Sequence, residues 1–257
     1  MPGIAIFGIT GRMGQSLLRA LPETPDLRLC GAVASRSSPR LGLDAAAEGM
    51  ACGVTVTADA AAALKEAAVA LDFSLPGCVA GHARACVEAG VPLLVGATGL
   101  DPNTRLFLET AAQNIAVLIA PNTSIGVSVM LDLAARAALA LGSGYDVDVF
   151  EAHHRMKRDA PSGTALALGE AVAQARGERL ADVDFAVLRT GDIVGEHTVS
   201  FAGLDERIEI THRATDRLAF ARGALRAAEW LAGQPAGLYG MEHVIGQRAM
   251  DSDRAHR

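Results

Sequence analysis

The sequence predicts an α/β protein: a Rossmann-like, doubly wound parallel sheet followed by a smaller α+β domain with a mixed sheet. Three observations support this prediction. Short apolar runs alternate with helical patterns through the first half of the chain, as they do when helices cover both faces of a parallel sheet. Glycines separate the first apolar run from the first helical pattern, and after about residue 123 strand patterns become more frequent.

The first half contains five predicted strands. The run GIAIFG, over 3–8, is apolar throughout and indicates a buried strand, and MGQSLLRAL, over 13–21, has the spacing of an amphipathic helix. The other strands are predicted over 27–34, 68–74, 91–99 and 115–122, and the other helices over about 58–68, over about 78–89 and between the last two strands. This alternation predicts parallel pairing.

The second half begins with a long apolar helix, predicted over 127–141. A strand with period-2 pattern follows over 146–154, and then a helix that begins near Ser162. FAVLRTGDIVGEHTVSFAG and ERIEITHRA predict further strands of a mixed or antiparallel sheet, and AFARGALRAAEWLAG predicts a final helix. We expect one domain over 1–123 and 218–257 and a second over 124–217.

Composition excludes several classes of partner. The chain has 257 residues, a formal charge of −6 and only 4% aromatic residues, which argues against a nucleic-acid partner. The N-terminus lacks the charged segment of a secretory signal, and no uncharged apolar stretch reaches about 18 residues, so we expect no membrane partner. Four cysteines without CxxC spacing indicate reduced thiols and a cytoplasmic location.

The first chemical signal is the turn GITGRMG. Gly8, Gly11 and Gly14 lie directly between the first strand and the first helix, and Thr10 stands where the commoner fingerprint has its second glycine. Such glycines let the backbone approach a pyrophosphate at a helix N-terminus. The turn predicts a dinucleotide-binding domain; the alternative is an ordinary glycine-rich turn.

The residues at the end of the second strand indicate which dinucleotide the domain binds. The stretch AVASRSS has no carboxylate to repel a 2′-phosphate, and Arg36 offers a bidentate guanidinium beside three serine hydroxyls. We therefore predict NADPH as the cofactor, with NADH bound more weakly. The alternative is that Arg36 is a solvated loop cation.

Later strand ends complete the predicted pocket, because ligands of open α/β sheets lie outside the carboxyl ends of strands. We expect these loops to line the nicotinamide side, with Phe73 and Ser74 as further candidates. The loop residues are Gly96, Ala97 and Thr98 after one strand, and Ala120, Pro121, Asn122 and Thr123 after the next.

The second chemical signal is EAHHRMKRDAPSGTA. His153, His154 and Lys157 precede a helix that opens at Ser162-Gly163-Thr164. A helix N-terminus favours an anion, a lysine adds a full charge, and imidazoles can supply a proton, so the stretch predicts an anion site with a proton donor. The alternative is that Ser162 or Asp159 is a plain N-cap, with Arg155 and Arg158 as surface charges.

A metal site is disfavoured at this stretch. Two adjacent histidines diverge on a strand, no acidic third ligand falls at helical spacing, and a charged lysine does not bind zinc. We expect no metal.

Five stretches together carry a resemblance that runs nearly end to end. GITGRMG, VGATG, APNTSIGV, EAHHRMKRDAPSGTA and GDIVGEHTVSF with the following ERIEITHRATDRLAFARGALRAAEWL resemble the 4-hydroxy-tetrahydrodipicolinate reductase (dihydrodipicolinate reductase) family. The resemblance implies an NAD(P)H-dependent oxidoreductase of the diaminopimelate route to lysine, acting on a small cyclic imine dicarboxylate. Hydride would come from C4 of the nicotinamide.

The resemblance also implies roles for matching positions. His153 and Lys157 would be the acids, without a decision between them, and Arg36 would meet the 2′-phosphate. The pyrophosphate would be held by Gly8, Ile9, Thr10, Gly11, Arg12 and Met13. The nicotinamide would be framed by Gly96, Ala97, Thr98, Ala120, Pro121, Asn122 and Thr123. The substrate would be bound by His154, Gly163 and Thr164, with Ser162 and Thr98 as further predicted contacts.

Three departures from the family pattern stand out. Thr123 replaces a phenylalanine, which removes a predicted ring contact, and Ser35 replaces an acidic residue of members that accept NADH. The loop before the R-x-G-D-I-V-G-E-H-T strand, which is often long in family members, is short in this chain. That loop lies in the second domain, which in the family binds substrate and builds the tetramer, and we still expect a homotetramer.

Two alternatives to the reductase function are another oxidoreductase of a small dicarboxylate and a non-catalytic nicotinamide-nucleotide-sensing regulator.

Overall fold

The structure, a computed structural model, describes residues 1–49 and 51–246. The chain forms two compact units: Met1–Ser124 together with the segment that starts at Phe220, and Ile125–Ala219. Residues 247–257, the end of the first predicted domain, lie outside the described residues.

The first unit is built on a seven-stranded sheet with the strand order β11-β6-β5-β4-β1-β2-β3, and each described pair of neighbours is parallel. Its strands are β1 (Gly3–Phe7), β2 (Arg28–Val33), β3 (Val56–Thr57), β4 (Ala67–Asp72), β5 (Leu93–Val95), β6 (Ala116–Ile119) and β11 (Gly237–Tyr239). Its helices are α1 (Arg12–Ala20), α2 (Ala60–Leu64), α3 (Pro76–Ala89), α4 (Pro102–Ala111) and most of α7 (Leu218–Leu231). The predicted doubly wound parallel sheet is confirmed.

Burial explains why these runs form strands of a covered sheet. Every residue of β1 is buried, and so are the three residues of β5, because side chains on both faces pack under helices. The order of the strands reverses between β1 and β4, which are neighbours in the sheet. This is the topological switch point at which open α/β sheets bind their ligands.

Two strands of this sheet were not predicted, and one helix is shorter than predicted. β3 and β11 have only two and three residues and lie at the two edges of the sheet. The helix predicted over about 58–68 ends at Leu64, because the chain enters β4 at Ala67. Strands this short carry no readable period, and they form because a neighbouring strand offers unpaired backbone groups.

The second unit contains a four-stranded mixed sheet with the order β10-β9-β7-β8. Its strands are β7 (Asp146–His153), β8 (Asp184–Arg189), β9 (Gly195–Ala202) and β10 (Arg207–Ala214), and its helices are α5 (Ile125–Leu141) and α6 (Gly163–Arg176). β7 pairs parallel with β8 and antiparallel with β9. The mixed sheet is confirmed. One face, which carries Val149 and Phe201, packs with Ala134 and Leu168 of the helices in a single core.

Among the described residues, one helical segment, Ile125–Gly144, has the length and the mean hydropathy (1.6) of a membrane-crossing helix. Core helices of globular proteins meet the same criterion. Here Met130, Ala134 and Ala138 of this segment are buried in the core of the second unit.

Candidate functional site

The turn after β1 leaves the N-terminal end of α1 uncapped. Gly11 precedes the helix without a side-chain cap, and the first turn contains no acidic residue. The amide of Gly11 donates to the carbonyl of Gly8 at 3.0 Å, and the amides of Gly8 and Ile9 donate to the carbonyl of Val33. An uncapped helix N-terminus of this kind offers amides and a partial positive charge to an anion.

Two glycines of the turn are required by its packing. Gly8 has a φ of +78°, and a Cβ there would lie 2.7 Å from the carbonyl oxygen of Phe73. A Cβ on Gly14 would lie 2.4 Å from the carbonyl oxygen of Ile9. Both neighbours are backbone atoms that cannot rotate away. The glycines therefore hold α1 close to the strand ends, which is the packing role of glycine in dinucleotide-binding turns.

A cavity of about 300 Å³ lies at the carboxyl ends of β4, β5 and β6. Nine of its lining residues were singled out in the sequence: Met13, Phe73, Ser74, Gly96, Ala97, Thr98, Pro121, Asn122 and Thr123. The tenth, Phe220 on α7, was not. Of the other predicted cofactor residues, Ile9 and Ala120 have buried side chains, so their contact with a ligand would be through the backbone.

Thr123 and Phe220 are joined although 97 positions separate them. The Thr123 hydroxyl donates to the carbonyl of Phe220 at 2.7 Å, and Thr123 is 2% exposed. Phe73 packs against Gly96, where a Cβ would lie 2.1 Å from the ring. The aromatic surface of the cavity therefore comes from Phe73 and Phe220, while Thr123 holds α7 against the loop after β6.

A buried carboxylate supports the loop that carries Phe73 and Ser74. Asp72, the last residue of β4, is fully buried and accepts hydrogen bonds from the amide of Ser74 at 2.9 Å and from His82 at 2.8 Å. The His82 ring stacks on Phe7 with centroids 4.3 Å apart. These contacts fix the start of this loop against α3 and β1.

The predicted 2′-phosphate segment follows β2 as a tight turn. The amide of Ser38 donates to the carbonyl of Ser35 at 2.9 Å, and Arg36 lies exposed at the turn. Further along, backbone amides donate to Asp44 and hold its pKa at about 2, and Arg40 donates to the Asp44 carbonyl at 2.6 Å. The loop is thus fastened by Arg40 and Asp44, while no described residue pairs with the Arg36 guanidinium.

In the second unit, Glu151, His153 and Arg189 form one buried cluster at the carboxyl end of β7. Glu151 is fully buried, and its carboxylate accepts a short hydrogen bond from the Nδ1 of His153. Arg189 of β8 donates to both carboxylate oxygens, from Nη1 at 2.8 Å and from Nη2 at 2.6 Å. Glu151 and His153 share a face because side chains alternate along a strand.

The start of α6 is tied to the same cluster. The amide of Ser162 donates to Glu151 at 3.1 Å, and Arg189 donates to the carbonyl of Asp159 at 2.6 Å. The Ser162 hydroxyl accepts from the amide of Ala165 and lies 3.2 Å from Nε2 of His197. Ser162 is therefore an N-cap, as the structural alternative proposed, and its contact with substrate stays a prediction.

Burial lowers the proton affinity of both buried imidazoles. Burial lowers the pKa of His153, and the hydrogen bond to Glu151 opposes this only in part. Burial and the neighbouring His153 lower the pKa of His197 to about 4. Burial would raise the pKa of Glu151, but hydrogen bonds from Arg189 and His153 hold it below its ordinary value. At neutral pH the cluster therefore holds an ion pair and two mainly neutral rings.

The remaining members of the predicted anion site lie closer to solvent. Lys157 forms an ion pair with Asp159 at 2.8 Å, and His154 and Thr164 are partly exposed. Arg155 and Arg158 are exposed, in agreement with their assignment as surface charges. The cationic stretch thus has a buried proton-carrying part and an accessible part at the start of a helix.

Glu151, His153 and His197 bring ligand atoms within 4.8 Å of one another, a juxtaposition that the sequence argument against a metal missed. Glu151 and His153 lie on β7 and His197 lies on β9, so the three side chains meet through strand pairing and not through helical spacing. A cation here would have to displace Arg189 from Glu151 and would sit beside its positive charge. The donor set therefore suits a proton better than a metal ion.

Three residues of the cluster were not predicted as site residues: Glu151, Arg189 and His197. Glu151 could have been found, because it lies two residues before His153 on a predicted strand and so on the same face. Arg189 and His197 come from other strands, and their places depend on a sheet register that single-strand patterns do not give.

The chain is similar to known proteins over nearly its whole length. Two family models match, described as "Dihydrodipicolinate reductase, N-terminus" over residues 3–123 and "Dihydrodipicolinate reductase, C-terminus" over residues 126–245. Among curated relatives, proteins named 4-hydroxy-tetrahydrodipicolinate reductase from Anaeromyxobacter dehalogenans and Bordetella parapertussis are 45% and 48% identical; the alignments cover 96% and 95% of this chain and 99% and 97% of theirs. A dipicolinate-bound dihydrodipicolinate reductase from Paenisporosarcina sp. TG-14 has a similar fold, with a TM-score of 0.78 at 22% identity, covering 95% of this chain and 99% of its own.

Proposed function

The chain belongs to the dihydrodipicolinate reductase family and is an oxidoreductase, and we propose that it reduces 4-hydroxy-tetrahydrodipicolinate to tetrahydrodipicolinate with NADPH, on the diaminopimelate route to lysine. In the net reaction one hydride and one proton enter the ring, and water leaves it. The observation that carries the proposal is the buried Glu151–His153 pair beside the N-terminus of α6, because it joins a proton-carrying ring to an anion-binding helix end.

The first unit would hold the cofactor, which supplies the hydride from C4 of its nicotinamide. The residues fit such a group: Gly8 and Gly14 have no room for a Cβ, and the start of α1 carries no cap and no acid. We propose the turn from Gly8 to Met13 for the pyrophosphate. The residues that frame the ~300 Å³ cavity would orient the nicotinamide and exclude water from one of its faces.

Arg36 would select NADPH over NADH. Its guanidinium is exposed and no described residue pairs with it, so it is available for a phosphate. We expect Arg36→Ala to weaken NADPH binding about tenfold or more, because a charge-assisted bidentate contact is lost, and to leave NADH binding unchanged. Titrating both cofactors into wild type, Arg36→Ala and a control, Arg105→Ala, measures this. Tighter binding of NADH than NADPH by the wild type would refute the preference.

The second unit would hold the substrate, a dianion. We propose that His154, Gly163 and Thr164 bind its carboxylates at the N-terminal end of α6, and that Ser162 and Thr98 add contacts. The dianion in turn would raise the proton affinity of a neighbouring imidazole.

His153 and Lys157 would supply or stabilise the proton. In the free protein burial lowers the pKa of His153, so the ring is mainly neutral near pH 7, while Lys157 is an ammonium paired with Asp159. A bound dianion favours the protonated ring and competes with Asp159 for Lys157. Either group can then donate as electrons arrive in the substrate ring.

One assay tests the whole proposal. The absorbance of NADPH is followed while an upstream synthase supplies the substrate, with the synthase omitted as the control. We expect NADPH to be consumed only when both enzymes are present; no consumption would defeat the assignment. A non-catalytic nicotinamide-sensing regulator, the other class considered, receives no support from the relatives, which are named as reductases.

We also propose a homotetramer located in the cytoplasm. The four cysteines are free thiols, which suits a reducing compartment. The proposal of a tetramer rests on the family resemblance.

A further inference from the structure

The Glu151 carboxylate accepts four hydrogen bonds from groups inside the protein. The sequence patterns predicted no functional role for this residue. Its side chain is fully buried, with one oxygen shared by His153 and Arg189 and the other by Arg189 and Ser162. A fully buried carboxylate is costly unless it is paired. Its position next to a proton-carrying ring calls for an explanation beyond stability.

The hydrogen bond fixes the tautomer of His153. An ionised carboxylate can only accept, so the Nδ1 of the neutral ring must carry the proton, and Nε2 is left as the basic atom. Nε2 faces Gly195, where an added Cβ would lie 3.1 Å from it. The absence of a side chain at position 195 therefore keeps this atom uncrowded.

Charged and titratable groups reach His153 from every neighbouring element. Glu151 lies on the same strand, Arg189 comes from β8, His197 from β9 at 5.1 Å between ring centroids, and Lys157 from the loop before α6. Glu151 is the one acid of this set among the described residues, and Arg189 is bound to it through both oxygens. The net charge that Glu151 and Arg189 present to the ring is thus close to zero.

We propose that Glu151 and Arg189 are a positioning pair for His153: Glu151 holds the Nδ1 proton so that Nε2 exchanges protons with the substrate, and Arg189 locks the carboxylate and balances its charge. This proposal rests on the proposed reductase function. Glu151 alone would make the ring a strong base that keeps its proton, whereas Arg189 alone would keep the ring from gaining one. Together they leave a ring that a bound dianion can switch.

The opposite signs of the two charges give the test. Histidine ring ¹⁵N spectra are recorded across pH for the ligand-free wild type, E151Q, R189M and the double variant E151Q/R189M, and H153Q assigns the signal. We expect the His153 pKa to fall in E151Q, to rise in R189M, and to return towards the wild-type value in the double variant. The neutral ring should carry its proton on Nδ1 in the wild type and lose this preference in E151Q.

A matched control lies on the other face of the same sheet. Glu196 precedes His197 on β9, pairs with the exposed Arg213 at 3.3 Å, and does not belong to the cluster. E196Q should leave the His153 pKa and tautomer unchanged. Should E151Q fail to fold, R189M and the double variant decide the matter, because the double variant removes both buried charges together.

Turnover provides the second readout. We expect E151Q to lower kcat about tenfold, less than the roughly 10²-fold expected for loss of an acid itself, with NADPH binding unchanged. A wrong reductase assignment shows as absent turnover in the wild type and leaves the ¹⁵N result standing. The positioning proposal is overturned by a neutral ring protonated on Nε2, or by single variants that move the His153 pKa in the same direction.

Discussion

Lys157 and Arg158 are neighbours in the chain with different surroundings. Lys157 is partly buried and bound to Asp159 at 2.8 Å, whereas Arg158 is exposed, and no described residue forms an ion pair with it. Lys157 is therefore held in place by a partner among the described residues whereas Arg158 is not, and this difference supports Lys157 rather than Arg158 as a proposed proton donor.

We predict that Lys157→Ala lowers turnover by roughly 10²-fold or more, because a positioned acid is lost. Arg158→Ala, which removes the same charge one residue away, should stay near the wild-type rate. Initial rates at saturating NADPH measure both. Unchanged turnover in Lys157→Ala would show that His153 acts without it.

His197 makes the stability of the protein depend on pH. Its pKa is about 4 in the folded protein, against 6.5 as its ordinary value, because the ring is buried. The unfolded chain thus binds the proton more readily. The contribution of the neutral His197 ring to the stability of the fold is therefore fully present above about pH 6.5 and is lost as the pH falls towards 4.

For the wild type we expect this ring to remove about 2 kcal/mol of unfolding free energy between pH 7 and pH 5. His197→Gln should lose that part of the pH dependence, while His243→Gln, at an exposed ring, should keep it. Urea unfolding at the two pH values measures the difference. An equal pH dependence in His197→Gln and the wild type would contradict the account.

At the scale of elements, replacing a glycine with alanine should have opposite effects on stability in two helices. Gly14 in α1 has backbone atoms 2.4 Å from the position of an added Cβ, whereas Gly81 in α3 has nothing within 4 Å. We predict that Gly14→Ala destabilises the first unit and weakens NADPH binding at least tenfold. Gly81→Ala should stabilise it by up to about 1 kcal/mol, because alanine favours a helix. Thermal unfolding and cofactor titration of both variants test this; an intact cofactor site in Gly14→Ala would refute it.

The elements also show what sequence patterns determine. Long periodic segments such as β7 and α7 were predicted, because each has one face in a core. In α7 the buried face includes five apolar residues at helical spacing: Ala221, Ala224, Leu225, Ala228 and Leu231. The glycine turn and the start of α6 were predicted from local chemistry. Arg189 was not, since it reaches Glu151 through the pairing of β7 with β8, across a separation of 38 residues. Local patterns thus indicated the segments of the candidate site but not the contacts between strands.

At the scale of the whole molecule, an exposed apolar surface on the sheet of the second unit supports the proposed tetramer. In the second unit, Phe150 of β7 and Leu188 of β8 are 39% and 43% exposed, on the sheet face opposite to the helices. Exposed apolar side chains grouped on a sheet are typical of subunit interfaces.

We predict a solution mass four times the 26.5 kDa of the chain. Leu188→Glu should lower this mass, because a charge would be buried in the interface, and Leu106→Glu, at an exposed position of α4, should not. Light scattering with circular dichroism as a folding check measures both. A monomeric wild type would overturn the proposal.

The discontinuity of the first unit has a consequence for synthesis on the ribosome. β11, which pairs with β6, and the single tryptophan, Trp230, are made only after the whole second unit, Ile125–Ala219, has been translated. Trp230 then packs against Tyr239, with ring centroids 5.2 Å apart. Its fluorescence in a nascent chain would therefore report the closing step of the parallel sheet, after the second unit has had time to fold.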